Sequence, residues 1–359
     1  MRVFYFCSMI DFIIVGSGLA GVSFANIALE AGKKIFVFDN QSQPSSTVAG
    51  GMYNPVVLKR FTEIWKAQEQ VDICQDFYPK LEKKLEVKFD YPLQLLRKFA
   101  SIEEQNNWFV ACDKPSLSPF LNSKINYETF QAIDSSFGFG EVFCSGYLDI
   151  KTLVNSYQDF LKNINCFSYE TFNYNSLIIE TDYVQYMEVK ARSIIFAEGF
   201  GLHQNPFFND LPLDGTKGEL LHIKAPNLKL DKIVKSGVFI LPIGNDIYKV
   251  GATYDWKDKT NLPTEAGKTE LVEKLKEVIN CDFEIIEHLA GVRPTVNDRR
   301  PLVGTHYTYK RLHVLNGLGT RGVMLAPYLA LNLFNNLENN KELEDEINID
   351  RYYKKRAKS

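Results

Sequence analysis

Three glycines near the start of the chain have the types and spacing of a phosphate-binding turn. They lie in the run Gly16-Ser17-Gly18-Leu19-Ala20-Gly21. Gly16 permits a tight turn, Gly18 lets a pyrophosphate approach the backbone, and Gly21 lets a following helix pack closely on the preceding strand. This spacing predicts a dinucleotide-binding site, and the alternative is a glycine-rich turn that arose by chance.

An acidic residue follows at the distance that this chemistry requires. Asp39 lies eighteen residues after Gly21 and ends a second apolar run, Lys34 to Phe38. A carboxylate there can accept hydrogen bonds from both hydroxyls of an adenosine ribose. Because the same negative charge disfavours a 2′-phosphate, NADP is a weak candidate.

A strand, a helix and a second strand must hold these residues in place. The apolar, β-branched run Ile10 to Val15 predicts a buried parallel strand. Leu19 to Ala31 predicts a helix that Gly32 ends, and its first residues, Leu19 and Ala20, present free N–H groups and the positive end of the helix dipole to the phosphates.

The segment that follows this unit bears on which dinucleotide binds. Nicotinamide enzymes usually continue with further regular βα units, whereas residues 45–55 read Ser-Ser-Thr-Val-Ala-Gly-Gly-Met-Tyr-Asn-Pro, with neither helical nor strand periodicity. Small side chains would let the backbone lie against a flat ring. The candidate contacts in this segment are Ser45, Ser46, Gly50, Gly51 and Met52.

At this point the sequence resembles the FAD-dependent D-amino-acid oxidase family, which includes glycine and sarcosine oxidases. Similar blocks recur in order at 193–199, 217–219, 241–242, 250–253, 291–294, 298–304 and 317–327. The resemblance implies an α/β fold in which a Rossmann-like FAD-binding domain is interleaved with an α+β substrate domain carrying a mixed or antiparallel sheet. It also implies FAD contacts at Ala197, Gly199, Gly317, Gly319, Thr320 and Gly322.

The last of these blocks has a physical interpretation of its own. Leu312 to Leu315 predicts a short strand, and a glycine loop then leads into a helix from about Gly319 to Leu337. A helix N-terminus beside a flavin can stabilise the negative charge that develops on reduction. The alternative is a plain strand-loop-helix connection. No cysteine lies near this block, which favours non-covalent FAD.

Two arginines are the candidate catalytic residues. The resemblance implies that Arg293, which lies between Gly291 and Pro294, pairs with a substrate carboxylate, and that Arg321 lies at the mouth of the active site. The planar guanidinium matches a carboxylate well. The alternative is that both arginines are structural or exposed.

Other positions limit the prediction of the substrate. Phe239 replaces a tyrosine that glycine-oxidase-like members place shortly before the Leu-Pro pair. Tyr248 and Tyr254 could substitute for it, or simply pack on a half-buried sheet. Arg299 and Arg300 are expected in a solvated turn, with the backbone of 301–304 near the flavin.

The predicted reaction is oxidation of a C–N bond in a small amino acid or N-substituted amine. A hydride would move to flavin N5, water would hydrolyse the resulting imine, and O2 or another acceptor would reoxidise the flavin. A second hypothesis is RNA modification, because residues 51–55 and the C-terminal loop also resemble the flavin domain that removes a carboxymethyl group from a modified tRNA uridine. A third is a non-catalytic FAD-binding protein.

Length and composition are those of a two-domain globular protein. The 359 residues are 45% hydrophobic and 24% charged. We expect an FAD-binding domain from 9–60, 140–210 and 285–359, and a substrate domain from 61–139 and 211–284. The net charge of -3 gives no bulk attraction for a nucleic acid.

Cysteines and histidines are scattered through the sequence. Six cysteines and five histidines form no metal-ligand spacing, so we expect no metal and reduced thiols in a cytoplasmic protein. The uncharged run Phe12 to Leu29 holds three glycines and is therefore not read as a membrane anchor. Met1 to Ser8 is read as a dispensable extension.

Overall fold

The computed structural model describes residues 9–356, and the predicted extension at residues 1–8 lies outside them. The described residues contain eight α-helices. These are α1 (Leu19–Glu30), α2 (Ser45–Val48), α3 (Ala67–Leu85), α4 (Ile102–Cys112), α5 (Ile150–Asn163), α6 (Glu265–Lys276), α7 (Gly322–Asn339) and α8 (Asp350–Arg356).

Within the same residues the chain forms twenty strands, many of them short. They are β1 (Ile10–Val15), β2 (Ile35–Asp39), β3 (Met52–Tyr53), β4 (Val56–Val57), β5 (Thr62–Glu63), β6 (Asp90–Pro92), β7 (Leu95–Lys98), β8 (Phe139–Val142), β9 (Gly146–Leu148), β10 (Phe167–Tyr169), β11 (Leu177–Ile179), β12 (Val184–Tyr186), β13 (Val189–Phe196), β14 (Thr216–Lys224), β15 (Ile233–Lys235), β16 (Phe239–Pro242), β17 (Ile247–Gly251), β18 (Glu284–Arg293), β19 (Leu302–Thr305) and β20 (Leu312–Asn316).

The first large sheet has a parallel centre. Its strands β10, β2, β1, β13 and β20 run parallel, while β11, β12 and β19 are antiparallel additions. In the centre, Ile14 pairs with Val37 of β2 on one side and with Ile195 of β13 on the other. Helices cover a sheet of this kind, which explains why its strands are almost wholly apolar.

Helices α1 and α7 pack together against one face of this sheet. Phe24 of α1 contacts Phe12 of β1 and Phe334 of α7 in edge-to-face pairs with ring centroids 5.3 and 6.3 Å apart. The predicted strand-turn-helix-strand unit is therefore confirmed. Helix α1 ends at Glu30, one residue before the predicted end. Gly32, two residues after this end, has φ +74°.

The second large sheet has the strand order β18-β14-β17-β16-β15-β7-β8. All its neighbouring pairs are antiparallel except β15 with β7, so the prediction of a mixed or antiparallel sheet is confirmed. Helix α6 packs on one face through Leu271 and Leu275. The domain boundaries given above stay a prediction.

Several elements differ from the predicted ones. Residues 45–55 were expected to lack regular structure, but Ser45–Val48 forms one helical turn and Met52–Tyr53 a short strand. Helix α3 begins at Ala67, after the chain has formed a β4–β5 hairpin. The C-terminal helix begins at Gly322 instead of Gly319, because Gly317 and Gly319 adopt positive φ.

Two features are absent from residues 9–356. None of their helices combines the length and apolar character needed to cross a membrane. Their His, Cys, Asp and Glu side chains form no cluster of three that could hold a metal ion.

Candidate active site

A cavity of about 1310 Å³ opens where the first sheet meets the second. On one side it is lined by the carboxyl ends of β1, β2, β13 and β20, the usual place for a ligand on a parallel sheet. The sequence-predicted residues that line it are Gly16, Gly18, Leu19, Ala20, Asp39, Ser45, Ser46, Gly50, Gly51, Met52, Ala197, Gly199, Arg293, Gly317, Gly319, Thr320, Arg321 and Gly322.

Gly21 is the one predicted residue that does not line this cavity. It lies directly behind the turn, where a Cβ atom would be 1.9 Å from the carbonyl oxygen of Gly16. Gly16 itself has φ +98°, and a Cβ there would be 2.4 Å from the carbonyl oxygen of Ala197. The turn is therefore compact because two glycine backbones and a neighbouring strand are in direct contact, as the spacing predicted.

Asp39 lies at the cavity at the end of β2. Its Oδ2 accepts hydrogen bonds from the amide and the hydroxyl of Ser17, both at 2.5 Å, and the Ser17 hydroxyl also accepts one from Gln158 at 2.7 Å. These contacts fix the carboxylate beside the glycine turn. Asp39 Oδ1 also accepts a hydrogen bond from the Gln41 amide at 2.5 Å, so about one of the four lone-pair sites of the carboxylate remains for a ribose hydroxyl.

Glu198 also lines this end of the cavity, although it is not among the site residues predicted from the sequence. Its carboxylate accepts hydrogen bonds from Tyr174 and, at 2.8 Å, from Asn205. Burial, with a smaller effect from the charge of Asp39, raises the pKa of Glu198 to about 7. A signal was available, because Glu198 follows an apolar strand just as Asp39 does.

The second sheet forms the opposite wall. Leu220, Gly251, Phe239 and Lys235 stand directly opposite one another on β14, β17, β16 and β15, so their side chains share one face. The Phe239 ring lies against Gly251 and Gly50, where added Cβ atoms would come within 2.9 and 2.8 Å of it. Phe239 thus joins the wall to the glycine segment at 50–51.

Arg293 ends β18 and lies across this same wall. Its guanidinium covers Gly218 of β14, where a Cβ atom would be 1.9 Å from Nη2. Arg293 Nη1 donates to the carbonyl oxygens of Lys217 and Thr253 at 3.4 and 3.3 Å. The Tyr254 ring lies over the guanidinium, with its centroid 4.7 Å from Cζ. Tyr254 is therefore a ring contact of Arg293, whereas Tyr248 is packed in the core.

Arg321 lies immediately before α7. Its Nη1 donates to the carbonyl oxygen of Asn54 at 3.2 Å, and burial lowers its pKa to about 10. Burial also lowers the pKa of Arg293. Within residues 9–356 neither arginine has a carboxylate within ion-pair distance, although each is partly buried at the cavity. Such a site favours an anionic ligand.

The loop that carries Tyr254 is fixed by a buried lysine. Lys217 is 1% exposed, and its Nζ lies 2.5 Å from Asp258 and 3.6 Å from Glu219. The backbones of Lys217 and Asp255 exchange hydrogen bonds of 2.8 and 3.0 Å. The loop therefore holds Tyr254 and the half-exposed Trp256 at the mouth of the cavity.

The expectation for the arginine pair at 299–300 is only partly met. Arg299 is exposed as expected, whereas Arg300 is partly buried, pairs with Glu346 at 3.0 Å and lies 5.5 Å from the Trp65 ring centroid. Both arginines line the cavity. Of the predicted flavin-facing backbone at 301–304, only Pro301 is among the lining residues.

The residues present fit FAD. The turn at Gly16 and the start of α1 match a pyrophosphate, and Asp39 matches a ribose. The backbone at Gly50 is open to a flat ring system. The cavity exceeds the roughly 300–1,000 Å³ of ordinary small-ligand pockets, so it has room for a large cofactor and a small substrate.

The parallel sheet with its phosphate turn, closed by a second sheet that carries arginines, defines a flavin-type dinucleotide-binding oxidoreductase. Sequence comparison gives the family: the chain belongs to the FAD dependent oxidoreductases (DAO), whose family model matches residues 11–334. The protein is therefore an FAD-dependent enzyme, as the resemblance implied.

The relatives within this family differ in what they are named for. The tRNA 5-methylaminomethyl-2-thiouridine biosynthesis bifunctional protein of Marinobacter nauticus is 22% identical over 89% of this chain, and the chain spans only 54% of its length. The glycine oxidase of Bacillus subtilis is 27% identical over 46% of this chain and 47% of its own length.

A solved structure shows the same fold. The glycine oxidase from Geobacillus kaustophilus matches 93% of this chain and 96% of its own with a TM-score of 0.73 and 18% sequence identity.

Proposed function

We propose that the protein oxidises the C–N bond of a small amine that carries a carboxylate. The observation that carries this proposal is the pair Arg293 and Arg321, two partly buried guanidinium groups at one cavity without a carboxylate partner within residues 9–356. A substrate carboxylate would supply the missing charge. The glycine oxidase relatives, whose name specifies an amino-acid substrate, support this choice.

In this proposal the chain binds and orients the substrate. Arg293 and Arg321 hold the carboxylate, and Tyr254 shields Arg293 from water. Among the carboxylates that line the cavity, Glu219 is occupied by Lys217, Thr264 and His288, and Glu270 by Lys274. Asp39, Glu170 and Glu198 lie at the dinucleotide end, and Glu63 is exposed. Orientation and a neutral amine would thus suffice without a side-chain base.

FAD, when bound, would accept the hydride from the carbon of the C–N bond, leaving an imine that water hydrolyses. The N-terminus of α7, beside Gly319 and Gly322, would stabilise negative charge at the adjoining edge of the cofactor. Non-covalent attachment is part of the proposal, and no cysteine is among the described residues that line the cavity.

The test is anaerobic bleaching of the FAD-loaded protein by a panel of amines. Glycine, sarcosine, iminodiacetate, proline and both enantiomers of small amino acids would be compared with the matching amines that lack a carboxylate. Bleaching by the carboxylated members alone supports the proposal. If no carboxylated amine reduces the flavin, the proposal is wrong. Peroxide formation in air then shows whether O2 or another electron acceptor reoxidises the flavin.

A second candidate substrate is a carboxymethylated uridine in tRNA. The relative from Marinobacter nauticus supports it, as do Lys59, Arg60 and Arg299, which line the cavity without a carboxylate within ion-pair distance in the described part of the chain. Cations at the rim could contact the phosphates that flank a modified base.

This candidate predicts tRNA binding that weakens steeply with added salt. Replacement of Arg60 by glutamine would lower the slope of the salt dependence by about one. Lys229, which is exposed and paired with Asp246 at 3.3 Å, provides a matched control through K229Q. Indifference of the protein to tRNA at low salt would remove this candidate.

A further inference from the structure

We infer that Lys235 forms a second anion-binding position in the cavity, which takes the distal carboxylate or phosphate of an extended amine substrate. The inference rests on the proposed function for the first anionic group, the carboxylate held by Arg293. The substrate class is thereby narrowed to amines with an anionic group at each end.

The sheet register places Lys235 on the cavity wall. Lys235 on β15 stands directly opposite Phe239 on β16, and Arg97 on β7 pairs with Lys235 from the other side. Directly opposed residues point to the same face of a sheet. All three residues line the cavity.

The charges around Lys235 leave it without a partner. Arg97 pairs with Glu104, with Nη2 to Oε1 at 2.5 Å, and Lys274 pairs with Glu270 at 2.5 Å. Within residues 9–356 Lys235 makes no side-chain hydrogen bond or ion pair. Burial, and then the neighbouring Arg97 and Lys274, lower its pKa to about 8.

An ammonium group in this setting favours an anion. Burying a charge without a partner is costly, and here the two nearest cations add repulsion. An anion bound from the cavity would remove both penalties at once. The two cations whose charges lower the Lys235 pKa are already paired, Arg97 with Glu104 and Lys274 with Glu270, and Glu270 also lines the cavity.

The distance along the wall sets the length of the ligand. The guanidinium of Arg293 lies over β14, and Lys235 is on β15, three strand positions away. At an interstrand spacing of about 4.8 Å, the two positions are about 14 Å apart. Phe239 lies between them and offers an apolar surface to a methylene chain. A ligand with only one anionic group cannot reach both.

The test uses the FAD-loaded protein and unreactive ligands, so that binding is measured without turnover. Linear dicarboxylates of increasing chain length, and the corresponding ω-phosphonocarboxylates, would be titrated by calorimetry beside monocarboxylates of equal length. Affinity should rise once the chain is long enough to span both positions. The two series distinguish a distal carboxylate from a distal phosphate.

The decisive variants are K235Q, K235R and the control K229Q. We expect K235Q to weaken the long dianions about 30-fold or more, the scale for removing one partner of a buried charge pair, and to leave the monocarboxylates unchanged. K235R should retain most of the affinity, and K229Q all of it. Equal effects of K235Q on dianions and monoanions, or none, would overturn the inference.

The variant R293Q distinguishes the two proposals. It should weaken monocarboxylates and dianions alike. If R293Q has no effect while K235Q weakens the dianions, the assignment of the first carboxylate is wrong and the Lys235 position stands. If R293Q weakens both classes and K235Q weakens neither, the assignment of the first carboxylate to Arg293 stands and the Lys235 position is wrong.

Discussion

The guanidinium of Arg293 lies flat against Gly218, so close that a Cβ atom at position 218 would be 1.9 Å from Nη2. The two residues are diagonal neighbours on β14 and β18, where Gly218 pairs with Gly291 and Thr216 with Arg293. A strand-interior glycine usually marks a close approach of this kind. The position of the Arg293 guanidinium, the proposed binding group for the substrate carboxylate, thus depends on the absence of a side chain at Gly218.

Replacement of Gly218 by alanine should displace Arg293. We expect kcat/KM for the carboxylated amine to fall about 100-fold, because a shift of about 1 Å in a positioning group can have that effect. The FAD content should be unchanged. Gly237 has open space around its Cα, so G237A is the control. A G218A enzyme with normal kinetics would contradict this account of Arg293.

Removal of the Tyr254 ring should weaken substrate binding. The ring lies over the Arg293 guanidinium at 4.7 Å, and such contacts contribute about 0.5–2 kcal/mol. Y254A should therefore raise KM by roughly 2- to 30-fold. Y254F keeps the ring and should behave like the wild type. If Y254F is as impaired as Y254A, the hydroxyl matters and the ring contact does not explain the effect.

Replacement of Gly21 by alanine should abolish FAD binding. The added Cβ would be 1.9 Å from the carbonyl oxygen of Gly16, so the turn or α1 must move. The purified variant should be colourless and should not regain visible absorbance on incubation with FAD. G237A, whose Cβ would have open space around it, should keep its FAD. A yellow G21A protein would show that the turn is not the phosphate site.

Glu198 should make the FAD-free protein less stable as the pH rises. In the folded protein burial raises the pKa of Glu198 from 4.5 to about 7. As the pH rises, the unfolded chain therefore loses this proton before the folded protein does. The contribution of Glu198 to stability is therefore present below about pH 4.5 and is lost as the pH rises through 7, by up to about 3 kcal/mol. E198Q should remove that dependence.

The measurement is Tm against pH for the wild type and E198Q. Relative to the wild type, E198Q should become more stable as the pH rises from 5 to 8. Y174F is the control, because it removes a hydrogen bond to Glu198 but leaves the carboxyl group, so its pH dependence should persist. A constant difference between the two proteins across this range would contradict the raised pKa.

The dinucleotide turn was predictable because its determinants are local. The glycines of residues 16–21 and Asp39 lie in one strand-helix-strand unit, and each has a steric or hydrogen-bonding role that spacing reveals. The structure places them in that unit, and their contact with a dinucleotide stays a prediction. The helical turn at Ser45–Val48 was missed, since four residues are too few for a periodicity to appear.

The substrate wall was less predictable because it depends on the register of distant strands. Gly218 and Arg293 belong to separate blocks, and only the β14–β18 pairing brings them together. Lys235 has no sequence signal either, because only the pairing of β15 with β16 and β7 places it on that wall. Glu198 could have been noticed as an acid at the end of an apolar strand.

The order of the strands in the first sheet has a consequence for biosynthesis. Its centre joins β1, near the N-terminus, to β13 and β20, and β20 ends at Asn316. At synthesis rates of about 5–20 residues per second, the phosphate turn emerges roughly 15 to 60 s before the glycine loop that completes its wall. The nascent chain must therefore remain soluble through that interval without help from its prosthetic group.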